Sequence, residues 1–274
     1  MNWPDATSFS ISRQDWRTRV IRDTFEVERE LAPWMEDAYG AYKERVSDPG
    51  YPCYFGHQAE KKGDMFYAFV SWANVPSLVG IMGEFVWRGH QPQYARHNLG
   101  VFFEPLATDT HERFCSRSWK ILQMLHDADS HPLEGAPSDA DWEFSFAGSQ
   151  MFVVGANVTY SKRRSRCLGQ GQVLLFQPRT VFTDAVTERS INMAARRTIR
   201  QRLTRWDDVE PHPDLGIYGD PGNREWKQYM LPDENVSVVG ECPFLARLPR
   251  DGRTAEPRED EVAWQRNSTF LDRT

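Results

Sequence analysis

Between Trp16 and Val46, apolar residues recur at the spacing of a helix face: Ile21, Phe25, Leu31, Met35, Ala38, Tyr39, Tyr42 and Val46. Pro33 is tolerated best in a first turn, so the pattern predicts two consecutive helices broken near Ala32. The run SDPGYP ends the second. Residues 53–64 read as a polar loop bracketed by Gly56 and Gly63. The aromatic run at 65–72 predicts a strand, 74–87 a short helix with an irregular edge, and 98–106 a second strand. Residues 111–129 place Phe114, Ile121, Leu122 and Leu125 on one helical face, and 130–141 form a turn-rich connector. Trp142, Phe144 and Phe146 alternate with Glu143 and Ser145, the signature of a half-buried strand over 142–148. After Gly148-Ser149 a further run at 150–158 completes a hairpin. The continuous apolar run at 172–178 predicts a buried central strand, and 183–206 an arginine-rich helix.

The stretch from Glu210 to Phe244 breaks the pattern. Pro211, Pro213, Pro221 and Pro232 block helix interiors and ladder donors, and Gly216, Gly219 and Gly222 add backbone freedom. It nevertheless concentrates reactive, aromatic and charged side chains, as functional loops do. A surface loop that merely closes a sheet would have a similar composition. Strands come in neighbouring pairs and do not alternate with helices. That predicts an α+β fold with an antiparallel or mixed sheet and flanking helices. The expected organisation is an N-terminal helical segment over 1–50, a main domain over 51–246 and a polar tail over 247–274, with Trp264 and Phe270 as its anchors.

Composition narrows the function classes. The 274 residues, 40% hydrophobic and 13% aromatic, support a sizeable core. A net charge of −6 argues against a dedicated nucleic-acid binder. Cys53, Cys115, Cys167 and Cys242 form no C-x-x-C pair, so neither structural zinc nor a disulfide framework is expected. Reduced thiols and a polar N-terminus without an apolar core segment predict a cytoplasmic protein. No apolar window is long enough to span a membrane. The P-loop, G-x-S-x-G and H-E-x-x-H signatures are absent, and the dinucleotide fingerprint at Gly169 and Gly171 fails at Leu174.

Three constellations remain. His212-Pro213-Asp214 is an H-x-D pair of the kind found in non-haem iron sites, but no histidine follows it. His212 is stiffened by a proline on each side, which pre-organises it as an axial metal ligand. Lys162, Arg163, Arg164 and Arg166 form one basic knot, and Arg196, Arg197, Arg200, Arg202 and Arg205 another. Each reads as a solvated face or as guanidinium forks for carboxylate or phosphate. Asp141, Glu143, Asp220 and Glu225 neighbour Trp142 or Trp226 in sequence, combining charge and aromatic faces for a guanidinium or ammonium ligand. Ordinary strand and turn chemistry explains them equally.

An ordered set of segments runs from Tyr51 to Phe244: YPCYFG, FYAFV, LHDAD, DWEFSFAG, MFVVGANVTYSKRRSR, LLFQPRTVF, HPDLGIYGDPGNREWKQYMLPDEN and CPF. Together they resemble the YqcI/YcgG family. That family includes haem-dependent oxygenases that N-hydroxylate free L-arginine in natural-product pathways, among them those of D-cycloserine and guanitoxin. The resemblance implies a single haem-binding domain that uses haem b, dioxygen and an external electron donor such as a separate reductase. It implies Nω-hydroxy-L-arginine as product and leaves a homodimer open. Under it, His212 becomes the first choice as axial ligand and as a catalytic residue, with Cys242 as alternative and His57 and His126 behind. Arg163, Arg164, Arg166 and Trp226 become candidates to hold the cofactor, the arginines through its propionates or through the substrate carboxylate. Glu143, Asp220 and Glu225 become candidates to hold the guanidinium, the last two as catalytic residues. A haem sensor without oxygenase activity and a non-haem iron enzyme are the competing readings.

Overall fold

The computed structural model describes residues 15–22, 31–131, 135–185 and 189–244. The expected N-terminal stretch before Asp15, the apolar positions between 23 and 30, and the polar tail lie outside them. The regular elements are α1 (Pro33–Ser47), α2 (Tyr54–Lys62), β1 (Met65–Val70), α3 (Leu78–Gly89), β2 (Asn98–Phe103), α4 (His111–Ala128), β3 (Phe144–Phe146), β4 (Ser149–Ala156), β5 (Val173–Pro178), α5 (Arg179–Ala185) and α6 (Arg189–Trp206). Short 3-10 turns occupy Trp16–Arg19, Trp72–Ser77, Arg164–Arg166 and Glu225–Gln228.

The strands form one mixed sheet in the order β1-β2-β5-β4-β3. β1 and β2 run parallel and the other neighbours antiparallel. The apolar run of β5 therefore lies in the centre, as its lack of alternation predicts. Period-two alternation divides the side chains between two cores. Phe66, Ala68, Leu99, Val101, Leu174, Phe176, Met151 and Val153 join α3 and α4 on one face. Met65, Tyr67, Phe102, Val173 and Ala156 meet Tyr39 and Tyr42 of α1 on the other. Each large side chain so enclosed stabilises the fold by about 1.5–3 kcal/mol.

Two expectations at the N-terminal end need correction. Residues 16–19 form only a 3-10 turn, started by the Asp15 carboxylate accepting from the Arg17 N–H at 3.0 Å. Val20 and Ile21 then lie beside β1, with the Ile21 N–H donating to the Tyr67 carbonyl at 2.8 Å. Extended pairing at an open sheet edge outweighs the local helical spacing. Residues 54–62 are helix, not loop. Cys53 Sγ accepts from the Gly56 N–H at 3.3 Å, and Gly63 ends the helix at φ 80°. The helix carries Glu60 into the second core, where its carboxylate accepts from the Tyr39 hydroxyl at 2.9 Å and from the Tyr67 hydroxyl. The start of the second helix falls as expected: Ala32 stands at the N-cap position of α1 and Pro33 opens it. The 74–87 stretch is more helical than expected, passing from the Trp72–Ser77 turn straight into α3.

The β3–β4 hairpin turns on Ala147 (φ 49°) and Gly148 (φ 73°), one residue earlier than predicted. Two left-handed residues match the twist of the strands. Ala147 is held there by its N–H, which donates to Asp129 Oδ2 at 2.6 Å. Ala147→Gly is expected to raise stability by about 0.5–1 kcal/mol, the relief of a left-handed Cβ less the added chain entropy. Urea denaturation measures it, and a loss of stability would contradict the account.

Candidate functional site

The segment after α6 stays irregular but is bound to the sheet at many points. Tyr229 is bound to the sheet: its carbonyl accepts from the Gly155 N–H of β4 at 2.8 Å, and its hydroxyl from the Phe144 N–H of β3 at 2.9 Å. Gly155 is required here, because a Cβ would meet Met230 Cγ at 2.8 Å and Phe114 Cζ at 2.9 Å. Asp233 Oδ2 accepts from the N–H groups of Ser161 and Lys162 and from Ser161 Oγ, and Oδ1 accepts from the Arg163 N–H. Burial opposes ionisation of Asp233, but these donors outweigh it and hold the carboxyl below its usual range. On α6, Arg196 donates to the Gly216 carbonyl and Arg200 to the Leu215 carbonyl.

These contacts decide what the basic knot does. Arg163, 2% exposed, donates to the carbonyls of Pro232 and Glu210 and to Asn235 Oδ1. Arg166 donates to the carbonyls of Gly155, Tyr229 and Gln228. Both guanidinium groups thus tie the segment to the domain. Arg164 instead reaches solvent, paired with Asp208 at 3.2 Å.

His212 is completely enclosed. Nδ1 accepts from the Asp214 N–H at 3.1 Å, and Asp214 Oδ2 lies 3.6 Å from the same nitrogen. Asp214 is itself fixed by the Ser237 hydroxyl at 2.5 Å and the Val238 N–H at 2.7 Å. Nε2 has no hydrogen-bond partner among the described residues. The Val236 carbonyl comes near enough to favour a proton on the ring but not into hydrogen-bond geometry with Nε2. Burial, and then the Arg163 charge, push the His212 pKa below its ordinary value of 6.5 against the pull of Asp214. The imidazole is therefore neutral at pH 7. A fold that disfavours the imidazolium loses stability as pH falls below about 6.5, where the unfolded chain takes up the proton. Glu225 and Asp207, both raised by burial, act with the opposite sign. The clean measurement is a difference: the urea midpoint of His212→Gln should fall less between pH 7.5 and 5.5 than that of the parent. Equal slopes would count against a depressed His212.

Two of the three carboxylates expected to receive a guanidinium, Glu143 and Glu225, already stand beside one from the chain itself. Arg179, at the start of α5, donates from Nε to Glu143 Oε2 at 2.8 Å, and its Nη2 also contacts Glu143 Oε1. Nη2 stands 3.9 Å from Glu225 Oε2. The guanidinium lies 3.8 Å from the centroid of the Tyr218 ring, in cation–π geometry. Glu225 Oε1 accepts from Asn223 Nδ2 and, at 3.3 Å, from Gln228 Nε2. Burial raises the Glu225 pKa, with Arg179 opposing. Trp226 is buried and packs edge-on to Trp119. Its proximity to Glu225 in sequence does not make it part of the carboxylate group.

Beside these groups opens a cleft of about 540 Å³, lined among others by Pro213, Asp214, Asp220, Asn223 and Lys227. His212 is next in sequence to Pro213 and Asp214 of that lining, and Glu225 is hydrogen-bonded to its Asn223. Gly216 permits this shape, since a Cβ there would collide with Asn223 Oδ1. The alternative ligands lie elsewhere. The Cys242 thiol packs against the first core, and burial pushes its pKa up to about 12. His57 Nδ1 is within 2.9 Å of the Val46 carbonyl, and the His126 ring packs against Phe244. Among the described residues no group of three or more His, Cys, Asp or Glu side chains is placed to hold a metal ion, so the His212–Asp214 pair finds no third protein ligand. No helix among them is long and apolar enough to cross a membrane.

Sequence reading missed Arg179, Tyr218 and Asn223, and singled out Lys227 and Asp233 only as two of the charged residues in the Glu210–Phe244 stretch, without a role. The signal for Arg179 was a single arginine directly after the apolar run of β5. Asp233 was visible only as one acid among several.

Residues 42–245 match the YqcI/YcgG family. The chain is 32% identical to the uncharacterized protein YqcI of Bacillus subtilis over 81% of this chain and 92% of that protein. It is 29% identical to the putative N(omega)-hydroxy-L-arginine synthase DcsA of Streptomyces lavendulae, over 80% of this chain and 86% of DcsA. It is 30% identical to the uncharacterized protein YcgG of Bacillus subtilis, over 80% and 90% respectively. No solved structure matches. On the family match and these near full-length relatives, the chain belongs to the YqcI/YcgG family.

Proposed function

We propose that this protein N-hydroxylates the guanidino group of L-arginine, yielding Nω-hydroxy-L-arginine, with haem b as cofactor. The name carried by DcsA supports the reaction class. The observation the ligand reading rests on is the enclosed His212 Nε2, without a hydrogen-bond partner among the described residues, on the residue next in sequence to Pro213 and Asp214 of the cleft lining.

The donor chemistry of His212 fits a haem iron: a neutral imidazole whose Nε2 makes no hydrogen bond among the described residues, with only the Val236 carbonyl near the ring. Nδ1 now accepts from Asp214, so Nε2 carries the proton. Ligation through Nε2 would move that proton to Nδ1, facing Asp214 Oδ2, the usual outer partner of a ligating histidine. Arg164 is the arginine of the knot left to meet a propionate or a substrate carboxylate, since Arg163 and Arg166 serve main-chain carbonyls. Haem, when bound, supplies dioxygen activation with electrons from a separate donor. The chain supplies the rest: Asp220, which lines the cleft, would face the guanidinium, while Trp226 packs on Trp119 away from the cleft lining. Behind it, Glu143 fixes Arg179 and Arg179 flanks Glu225. Glu225 Oε2 is the oxygen not taken by side-chain amides, and a carboxyl raised by burial suits holding a proton from the reacting nitrogen.

The test is an absorption spectrum and a product assay. Protein made with haem supplied should show a Soret band. Incubation with L-arginine, dioxygen and a reductant should add one oxygen to arginine by mass. A colourless protein ends the haem reading; a coloured protein that leaves arginine unchanged ends the oxygenase reading.

A further inference from the structure

Two opposite charges in the cleft do not satisfy each other. The Asp220 backbone is fixed, its N–H donating to the Ile217 carbonyl at 3.1 Å and its carbonyl accepting from the Asn223 N–H at 2.8 Å. Its carboxylate makes no hydrogen bond or ion pair among the described residues. Arg196 feels that charge without closing on it. Lys227 stands in the Glu225–Gln228 turn, its backbone N–H on the Arg224 carbonyl at 3.1 Å. Its ammonium lies 5.8 Å from the Trp226 ring centroid and likewise makes no hydrogen bond or ion pair among the described residues. Both residues are half-buried and both line the cleft. The other charges there are engaged. Arg200 donates to the Leu215 carbonyl, Arg224 to the carbonyls of Pro221 and Asn223, and Asp214 accepts from Ser237 and Val238.

A ligand that completes this arrangement carries a positive and a negative group held apart. A simple cation would meet Lys227, Arg200 and Arg224; a simple anion would meet Asp220 and Asp214. We propose that the cleft binds a zwitterionic amino acid, with Asp220 holding its cationic side-chain end and Lys227 its α-carboxylate. The inference rests on the proposed function for the identity of that cationic end, a guanidino group. Binding is nevertheless separable from oxidation. Lys227 becomes the residue that distinguishes the free amino acid from its decarboxylated amine.

Calorimetric titration of the full-length protein with L-arginine and with agmatine, its decarboxylated analogue, tests this. A charge-assisted contact carries roughly 10- to 100-fold in affinity. Agmatine should bind that much more weakly than L-arginine. Lys227→Met should weaken L-arginine to the agmatine level and leave agmatine unchanged, whereas Asp220→Asn should weaken both. Thermal melting checks that the variants remain folded; should Asp220→Asn fail, Lys227→Met against agmatine still decides. Parent-like L-arginine binding by both variants, equal affinity for agmatine and L-arginine, or no binding of L-arginine or L-lysine by the parent would each overturn the proposal. Arginine that binds through these residues but gains no oxygen would leave the cleft standing and remove the oxygenase reading. Product formed equally by the parent and both variants would do the reverse.

Discussion

Arg179→Met is expected to destabilise the protein by about 3–5 kcal/mol, the cost of leaving a buried carboxylate without its partner. The Glu143 side chain is 0% exposed and that of Arg179 19%. Two guanidinium nitrogens face the two Glu143 oxygens, with Nε–Oε2 at 2.8 Å. Water cannot replace the lost partner, so Glu143 must take up a proton or open the fold around β3. The double change Glu143→Gln with Arg179→Met removes both charges and should recover most of the loss. Urea denaturation of the two single variants and the double variant gives the coupling directly. A loss below about 1 kcal/mol for Arg179→Met would place the pair among ordinary surface ion pairs. The same geometry bears on the proposed substrate binding. The Glu143 carboxylate is committed to Arg179, so among the expected acids Asp220 is the one whose carboxylate faces the cleft uncommitted.

His212→Ala should abolish the Soret band and bring arginine oxidation to background, while the apoprotein remains folded. Asp214→Asn should weaken haem retention by a smaller factor of about 10–100, because it alters only the partner of the ligand. Spectra after gel filtration and circular dichroism separate cofactor loss from unfolding. Unchanged spectra in His212→Ala would dismiss this histidine as ligand and return Cys242, His57 and His126 to consideration. His57 is then tested first, since burial disfavours the Cys242 thiolate.

Much of the fold was legible because its signals are local. The alternation in Phe144–Phe146, the unbroken apolar run of β5 and the single helical face of α4 each state their element and their buried side. The failures have one cause. Trp16–Ile21 carries helical spacing, yet it lies against the edge of β1, and that edge is invisible along the chain. Tyr54–Lys62 reads as polar, yet it is helical because Cys53 and Gly63 cap it and the two hydroxyls of Tyr39 and Tyr67 satisfy Glu60. In both places a tertiary partner overrode local preference.

The candidate site divides the same way. Residue types and order alone determined the family, the irregular Glu210–Phe244 segment, a stiffened His212 and a supply of carboxylates and arginines. They could not determine which charge meets which. Only folding set Arg179 between Glu143 and Glu225, turned Arg163 and Arg166 onto main-chain carbonyls, and left Asp220 and Lys227 open in the cleft. The reason is physical: a buried charge must find a partner, and the nearest one is separated by 36 residues for Arg179 and Glu143 and by 69 for Arg163 and Pro232. Spacing along a chain carries no record of such pairings, whereas a packed interior permits few others.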